Sequence, residues 1–291
     1  MHWQKVTLVG VGLLGGSLGL SLKSRGLATR VFGLVRRPES VAECHALGVV
    51  DTATCDPDLA VRDADMVILC APIAQMLPLT RQILPYLKAD AIVTDVGSVK
   101  APVVRDLEAL LAAAKVHFVG SHPMAGGEKM GAGAARADLF QTAVVAVTPT
   151  PRSNRSAVKR IEAFWLSLGS RVLKLSPEAH DDYVSRSSHL VHVVAAELAN
   201  YVLSPIHPKE QAVLCASGFR DTTRIASGSP EMWRDIAMNN RENLARVLGV
   251  FIEDLQEFQL ALQNEDQAAV FEFFENARQR RGKWLDQTPA E

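Results

Sequence analysis

The segment "LVGVGLLGGS", residues 8–17, decides the fold of this chain. An apolar run too short for a helix ends in a GxGxxG pattern, and apolar residues at helical spacing follow as far as Gly26. A strand that passes through a glycine turn into a helix is the context in which GxGxxG marks a dinucleotide-binding unit. The segment therefore predicts a Rossmann-type domain at the start of the chain, with a glycine-rich turn that binds no ligand as the alternative.

The glycines of this pattern have separate tasks. Gly10 permits the tight turn, Gly12 lets the backbone approach a pyrophosphate, and Gly15 lets the helix pack closely on the strand. The helix N-terminus then offers unpaired N–H groups to the anion. The predicted cofactor-binding residues of this turn are Gly10, Gly12, Leu13, Leu14 and Gly15.

The end of the second predicted strand bears on the choice of dinucleotide. An NAD site places Asp or Glu about 20 residues after the glycine motif, where it binds the ribose hydroxyls. Val35 stands there instead, and Arg36 and Arg37 follow it. Guanidinium groups suit the 2′-phosphate of NADP, because they form charge-assisted forked hydrogen bonds. The sequence favours NADP; NAD is the alternative if Glu39 reaches the ribose or the arginines face solvent.

Strands and helices alternate over the first 176 residues. This pattern predicts βαβ units and a mostly parallel sheet with helices on both faces. The predicted strands are Val6–Val9, 30–35, Met66–Ala71, Ala91–Val96, Val116–Val119, Ala143–Val147 and Arg171–Leu175. The first domain, a Rossmann-type NAD(P)-binding domain, is predicted to span residues 1–176.

From Glu178 to Trp284 the sequence shows almost only helical periodicity, which predicts an all-helical substrate and dimerisation domain over residues 177–291. The fold class is thus α/β followed by an all-α domain. One seam has heptad spacing and comprises Leu244, Leu248, Phe251, Leu255, Phe258 and Leu262. It is either a face packed inside its own domain or a contact with a second subunit, and we favour a homodimer.

Composition limits the partners of the chain. Basic and acidic side chains nearly balance, 31 against 32, and the formal net charge is −1. Nucleic acid and anionic membranes are therefore not expected as partners, and no segment approaches the ~20 uninterrupted apolar residues that span a bilayer. None of the four cysteines lies in a CxxC pair, so we expect free thiols without zinc or a disulfide framework. With no signal-peptide pattern, the expected location is the cytoplasm.

Two stretches fall at the carboxyl ends of predicted strands, where doubly wound sheets bind ligands. "IVTDVGSVK" brings Asp95, Ser98 and Lys100 to one strand end, and "FVGSHPMAGGE" brings His122 to another. Histidine suits the removal of a proton from an alcohol under oxidation, because its ordinary pKa lies near working pH. The sequence predicts His122 as a general base, with Ser98 orienting the imidazole or the substrate oxygen. A histidine that merely satisfies a local hydrogen bond is the alternative.

Several motifs follow one another in a characteristic order: "GVGLLGGS", "TDVGSVK", "GSHPMAGGE", "SSHLVH", "SGFRDTTRIA" and "PEMWRDI". Together they resemble the prephenate/arogenate dehydrogenase family of tyrosine biosynthesis over nearly the whole chain. The resemblance implies an NAD(P)+-dependent oxidative decarboxylation. Prephenate would give 4-hydroxyphenylpyruvate, whereas an arogenate or dual-specificity cyclohexadienyl dehydrogenase would give tyrosine directly.

The resemblance also implies roles for single residues. His122 matches the base or hydrogen-bond acceptor, and Ser98 matches the serine that hydrogen-bonds that histidine and the substrate hydroxyl. His189 matches a second pocket histidine, and Arg224 matches the arginine that receives a substrate carboxylate, for which its forked guanidinium is suited. A lone histidine on an apolar helix is more often a satisfied core residue, and we expect this of His192.

The chain departs from the family pattern in two places. The proline usual in "SHLPH" is replaced in "SHLVH", and the second strand lacks the acidic residue of NAD-using members. Glu128 is a third open point, because a pocket carboxylate there would pair with the ammonium group of arogenate or form an ion pair at the pocket mouth. We expect Glu128 to be a substrate-binding residue, but its presence does not distinguish prephenate from arogenate as the substrate.

Two rival interpretations stay open. A 3-hydroxyacid or 6-phosphogluconate-type dehydrogenase also joins a Rossmann domain to helices, but usually relies on a lysine base in the second domain. A dinucleotide-sensing protein without catalysis would keep the glycine turn but would not need Ser98, His122 and Arg224 together.

Overall fold

The computed structural model describes residues 2–127 and 129–287. The backbone divides into two compact units, Met1–Arg241 and Glu242–Glu291. The first contains a sheet and the helices around it, and the second consists of helices. The two units divide after Arg241, further along the chain than residue 176, where the sequence places the domain boundary. That domain boundary stays a prediction.

A single eight-stranded sheet forms the centre of the first unit, in the order β3-β2-β1-β4-β5-β6-β7-β8. The strands are β1 (Trp3–Val9), β2 (Ala28–Leu34), β3 (Thr52–Thr54), β4 (Met66–Leu69), β5 (Ile92–Asp95), β6 (His117–Pro123), β7 (Val144–Thr148) and β8 (Arg171–Lys174). All neighbours pair in parallel except β6 and β7. Central strands such as β4 are buried throughout, which explains their continuous apolar sequence.

Helices cover both faces of this sheet. They are α1 (Leu13–Ser24), α2 (Pro38–Ala46), α3 (Pro57–Val61), α4 (Ile73–Ile83), α5 (Ala101–Ala113) and α6 (Arg155–Ser167). Two separate apolar clusters result, one including α1 and α6 and the other including α4 and α5. Because β1, β4 and β5 run in parallel, their carboxyl ends lie at one edge of the sheet.

The remaining part of the first unit is helical. It contains α7 (Pro177–Val184), α8 (Leu190–Val202), α9 (Lys209–Val213), α10 (Ser217–Thr223) and α11 (Pro230–Asn239). Ser176 caps α7 by accepting a hydrogen bond from the Ala179 N–H at 3.1 Å. A π-helical turn, Ser185–His189, joins α7 to α8.

The second unit consists of α13 (Gln267–Gln287) and nearly all of α12 (Arg241–Gln263). The Phe258 ring on α12 lies 4.4 Å from the Phe273 ring, centroid to centroid, and 5.8 Å from the Phe274 ring. Large apolar side chains of these helices are nevertheless exposed: Leu255, Leu260, Leu262, Phe271, Phe274, Trp284 and Leu285. The helical character predicted after residue 177 is confirmed.

The predicted fold class is confirmed, with two differences in the strands. β3 was not predicted, because a strand of only three residues is too short to show an apolar pattern. β6 runs four residues beyond its predicted end at Val119, because Gly120–Pro123 pair with β7 in antiparallel register. His122 consequently lies on a strand and not on the loop after it.

Candidate active site

The glycine turn after β1 has the shape that a pyrophosphate requires. Gly10 has φ +95°, and a Cβ atom there would lie 2.7 Å from the Cys70 carbonyl oxygen. A Cβ atom on Gly15 would lie 2.1 Å from the Gly10 carbonyl oxygen, so only glycine allows the helix to approach the turn this closely. A Cβ atom on Gly12 would meet nothing within 4 Å. Of these three glycines, Gly12 is the one that borders open space, at the position where a pyrophosphate would approach the backbone.

The start of α1 also suits an anion. Gly12 is its N-cap residue and provides no side-chain cap, and the first turn carries no acidic residue. The N–H groups of Leu13 and Leu14 belong to this first turn, where the helix dipole is positive. These residues therefore fit the phosphates of a dinucleotide.

Arg36 and Arg37 follow the end of β2, the strand that adjoins this turn. The Gly10 N–H donates to the Leu34 carbonyl at 2.9 Å, so the end of β2 adjoins the glycine turn. Both arginines are exposed, and Arg37 is the N-cap residue of α2. Glu39, the carboxylate considered for an NAD site, is exposed in the first turn of α2.

A buried ion pair lies at the carboxyl end of β5. Lys100 and Asp95 are both fully buried and are joined by a salt bridge. The Lys100 ammonium also donates to the Ser121 carbonyl at 2.9 Å, while Asp95 accepts from the N–H groups of Gly97 at 2.8 Å and Ser121 at 3.1 Å. This network ties the loop after β5 to the residue that precedes His122.

His122 belongs to a chain of three side chains. Its Nδ1 lies 2.9 Å from Nε2 of His180, and Nδ1 of His180 lies 2.8 Å from Oδ1 of Asp181. Asp181 also accepts from the N–H groups of Lys100 at 2.7 Å and Ala101 at 2.8 Å, at the start of α5. A carboxylate is pure acceptor, so these donors are the partners expected of ionised Asp181.

The direction of these hydrogen bonds follows from Asp181. Because the carboxylate accepts, Nδ1 of His180 carries a hydrogen, and Nε2 of a neutral His180 is left as an acceptor. His122 must then donate from Nδ1, which leaves its own Nε2 unprotonated. Within the described residues His122 Nε2 makes no hydrogen bond, so the relay presents a lone pair at that atom.

His122 is held neutral by its surroundings. Burial lowers the pKa of its imidazole well below the ordinary 6.5, and the neighbouring His180 and the positive charge of Lys100 lower it further. A neutral imidazole with a fixed tautomer is the form in which histidine accepts a proton.

His189 is the second predicted pocket histidine. It is 1% exposed, and burial lowers its pKa to about 4, partly opposed by Asp181 and by the Ser98 backbone. Its Nδ1 lies 3.1 Å from the amide nitrogen of Asn240, and its buried Nε2 has no hydrogen-bond partner among the described residues. His189 thus lies beside the Ser98 loop.

An outer group of side chains surrounds His192. The ring of His192 stacks on Trp233 with centroids 3.8 Å apart, and its Nδ1 bonds the Ser188 carbonyl at 3.0 Å. The positive charge of Arg224 lowers the pKa of His192, although burial is the larger cause. Arg224 itself is exposed. The structure reverses the expected burial, because His189 is the core residue and His192 is half-buried.

Two family models match the chain in succession. "Prephenate dehydrogenase, nucleotide-binding domain" matches residues 18–174, and "Prephenate dehydrogenase, dimerization domain" matches residues 176–276. The chain belongs to the prephenate dehydrogenase family. It is accordingly a dehydrogenase with a nucleotide-binding domain followed by a helical dimerisation domain.

Individual members of the prephenate dehydrogenase family resemble the chain over most of its length. Prephenate dehydrogenase of Bacillus subtilis is 32% identical over 279 residues, which are 95% of this chain and 75% of that protein. Cyclohexadienyl dehydrogenase of Zymomonas mobilis is 34% identical over 283 residues, which are 96% of this chain and 95% of that protein. Prephenate dehydrogenase of A. aeolicus in complex with hydroxyphenyl propionate and NAD+ has a TM-score of 0.91 and 32% identity, covering 97% of this chain and 99% of that one.

Sequence reasoning missed part of this family member's site. His180 and Asp181, in "SPEAHDDY", were not among the predicted site residues, although adjacent His and Asp behind a cap residue were a signal. The expected Ser98 to His122 hydrogen bond is not made within the described residues; Nδ1 of His122 bonds His180 instead. Glu128 lies outside the described residues.

The helices of residues 2–127 and 129–287 include none with the length and apolar character of a membrane span.

Proposed function

We propose that the protein catalyses the NAD(P)+-dependent oxidative decarboxylation of prephenate to 4-hydroxyphenylpyruvate. Family membership and the similarity to the prephenate dehydrogenases of B. subtilis and A. aeolicus support this. The observation that carries the proposal is the His122–His180–Asp181 chain, because it leaves an unprotonated Nε2 on a buried, neutral imidazole.

His122 acts as the base. The ring C4 hydrogen leaves with its electron pair, for which the bound nicotinamide is the acceptor. His122 takes the C4 hydroxyl proton at Nε2 while His180 holds its Nδ1–H, and Asp181 stabilises the positive charge that the imidazole pair acquires. The ring carboxylate leaves as CO2 and its electrons complete the aromatic ring. The proton then returns to the phenol oxygen, so the reaction releases no net proton.

Arg224, His189 and Glu128 are proposed to bind the substrate, and Ser98 to contact its hydroxyl. The substrate carries two carboxylates, and an arginine grips a carboxylate through two parallel hydrogen bonds. Arg224 lies close enough to His192 to lower its pKa, so the pair His192–Trp233 marks the neighbourhood in which that carboxylate is expected.

NADP is the proposed cofactor, with NAD as the alternative. The open space at Gly12 and the uncapped start of α1 support dinucleotide binding. Arg36 and Arg37 at the end of β2 support a 2′-phosphate, because they are exposed beside the glycine turn. The A. aeolicus relative binds NAD+, and this keeps NAD as the alternative.

Arogenate is the second candidate substrate, and its product would be tyrosine. Two relatives favour it: the Z. mobilis protein is named cyclohexadienyl dehydrogenase, and a Synechocystis arogenate dehydrogenase has a TM-score of 0.82 and 29% identity. A 3-hydroxyacid dehydrogenase activity is a more distant alternative. The 3-hydroxyisobutyrate dehydrogenase of Salmonella typhimurium, at 16% identity and TM-score 0.61, shares the fold alone.

A homodimer through the C-terminal helices is the proposed assembly, and the cytoplasm the proposed location. The family description "dimerization domain" for residues 176–276 supports the dimer. The exposed apolar side chains of α12 and α13 support it as well, since an exposed apolar surface of this kind is typical of subunit contacts.

A four-way assay tests the proposed function. Purified protein receives prephenate or arogenate with NAD+ or NADP+, and reduced nicotinamide is followed by absorbance together with released CO2. We expect turnover with prephenate and a higher kcat/KM with NADP+, with one CO2 per reduced nicotinamide. Faster turnover of arogenate would move the assignment to the second candidate. A flat trace in all four mixtures, with cofactor binding intact, would refute both.

A further inference from the structure

Asn240 joins two parts of the candidate site that lie far apart in sequence. It follows α11, whose last turn it closes by donating its N–H to the Ile236 carbonyl at 3.0 Å, and it is 4% exposed. Its side-chain nitrogen lies 2.8 Å from the Asp181 carbonyl oxygen and 3.1 Å from Nδ1 of His189. The side-chain amide of Asn240 thus contacts both the main chain of Asp181 and the imidazole of His189.

The first of these contacts determines the second. A carbonyl oxygen can only accept, so the NH2 group of the Asn240 amide must face Asp181, and the oxygen cannot. The same NH2 group therefore faces His189 and donates to it. Nδ1 of His189 is then the acceptor, and the imidazole hydrogen must reside on Nε2. This is the tautomer opposite to that of His122, whose hydrogen lies on Nδ1.

The hydrogen on His189 Nε2 is placed for use. Nε2 is buried and makes no hydrogen bond of ordinary geometry within the described residues, and a looser hydrogen bond with the Ser98 main chain raises the His189 pKa. A buried donor with so weak a partner keeps its hydrogen available to a group met during the reaction. His122 Nε2 offers a lone pair, whereas His189 Nε2 offers a hydrogen.

We propose that Asn240 is a positioning residue, which fixes His189 as the neutral Nε2–H tautomer and holds the main chain at Asp181. Asn240 thereby keeps the two histidines in complementary roles, one as acceptor and the other as donor. The catalytic consequence rests on the proposed function, whereas the tautomer assignment rests on the hydrogen bonds alone.

Nitrogen NMR of the histidine side chains tests the tautomer in the full-length enzyme. The nitrogen signals of His189 are assigned by their loss in His189→Gln. In the unaltered protein we expect Nε2 to carry the hydrogen and Nδ1 to have the shift of an unprotonated acceptor. A hydrogen on Nδ1 would overturn the proposal without the need for any variant of Asn240.

Asn240→Asp tests the cause with almost no change in shape. The new carboxylate can only accept, so His189 must donate from Nδ1, the tautomer should invert and the pKa of His189 should rise above about 4. We expect kcat to fall about 10- to 100-fold, as for the loss of one positioned group, with cofactor Kd unchanged. Asn239→Asp is the matched control, because Asn239 bonds only the Asp235 carbonyl of its own helix, at 2.7 Å.

The outcomes separate this proposal from the proposed function. An unchanged His189 tautomer in Asn240→Asp overturns the tautomer assignment, and an inverted tautomer with unchanged kcat overturns the positioning role. If Asn240→Asp fails to fold, the tautomer of the unaltered enzyme still decides the first point, and Asn240→Ser, which retains a donor, takes its place in the kinetic comparison. An unaltered enzyme without activity on any substrate contradicts the proposed function and leaves the tautomer result intact.

Discussion

Asp181→Asn should separate the relay from the rest of the site. Three donors converge on this carboxylate: the N–H groups of Lys100 and Ala101 and Nδ1–H of His180, at 2.7, 2.8 and 2.8 Å. An asparagine accepts through one oxygen only, so at least one of these donors meets an NH2 group. A buried donor without its partner costs about 1–3 kcal/mol, and α5 loses a negative charge at its N-terminus worth about 0.3–1 kcal/mol. We therefore expect the free energy of unfolding to fall by about 3 kcal/mol.

The catalytic effect of Asp181→Asn should exceed its effect on binding. Without a carboxylate, the His180 hydrogen is no longer held on Nδ1, and His122 loses the partner that keeps its own hydrogen away from Nε2. The same change costs about 10⁴ in kcat where the carboxylate touches the base directly. Because His180 intervenes here, we expect a loss of about 10²–10³ in kcat, or roughly 3–4 kcal/mol.

Steady-state kinetics with prephenate and urea unfolding measure the two effects on one preparation. Asp182→Asn is the matched control, since Asp182 makes a partly exposed ion pair with Arg186 in the π-helical turn that follows α7, and such pairs contribute about 0–1 kcal/mol. A folded Asp181→Asn enzyme with kcat within about threefold of the unaltered enzyme would refute the relay.

Three further predictions concern the remaining charged groups. Folding lowers the pKa of His189 from 6.5 to about 4, so the unfolded chain binds the proton first as the pH falls. The free energy of unfolding should therefore decrease between pH 6.5 and pH 4, by up to roughly 3 kcal/mol. Urea unfolding at pH 7 and 4.5 should show a smaller decrease in His189→Gln than in the unaltered protein, and an equal decrease would contradict this. Arg36→Ser with Arg37→Ser should raise KM for NADP+ about tenfold and leave KM for NAD+ nearly unchanged; equal effects on both cofactors would exclude a 2′-phosphate contact. Arg224→Gln should raise KM for prephenate about 10- to 100-fold with a smaller change in kcat, and an unaltered KM would remove Arg224 from the carboxylate site.

The cofactor turn was predictable because its constraints are local. Gly10 has φ +95°, and a Cβ atom on Gly15 would lie 2.1 Å from the carbonyl oxygen of Gly10, five residues earlier. Such close approach selects glycine wherever this turn occurs, so the sequence pattern alone indicates it. The same holds for the buried parallel strands, whose continuous apolar runs follow from burial on both faces.

The relay was not predictable, because it depends on where α7 packs. Asp181 accepts hydrogen bonds from the N–H groups of Lys100 and Ala101, which lie 81 and 80 residues earlier in the chain. His180 bonds His122 across 58 residues. In the sequence both residues satisfy the pattern of an ordinary helix start. Only the tertiary packing reveals that this helix start closes over the N-terminus of α5.

The position of His122 was predicted, but its setting was not. The predicted strand ended at Val119, whereas pairing with β7 extends it through Pro123. Likewise, His189 and His192 were distinguished by motif and by helix pattern, and neither signal reports the stacking of His192 on Trp233. Tertiary contacts override local pattern at both places.

The most direct test of the central claim is turnover by His122→Asn. The variant keeps a hydrogen-bond donor for His180 and removes the basic nitrogen, and His117→Asn on the same strand is the control, since His117 is partly exposed beside Asp90. We expect kcat with prephenate to fall at least about 10³-fold, while NADP+ and 4-hydroxyphenylpyruvate bind as they do to the unaltered enzyme. Turnover within about tenfold of the unaltered enzyme would show that His122 is not the base.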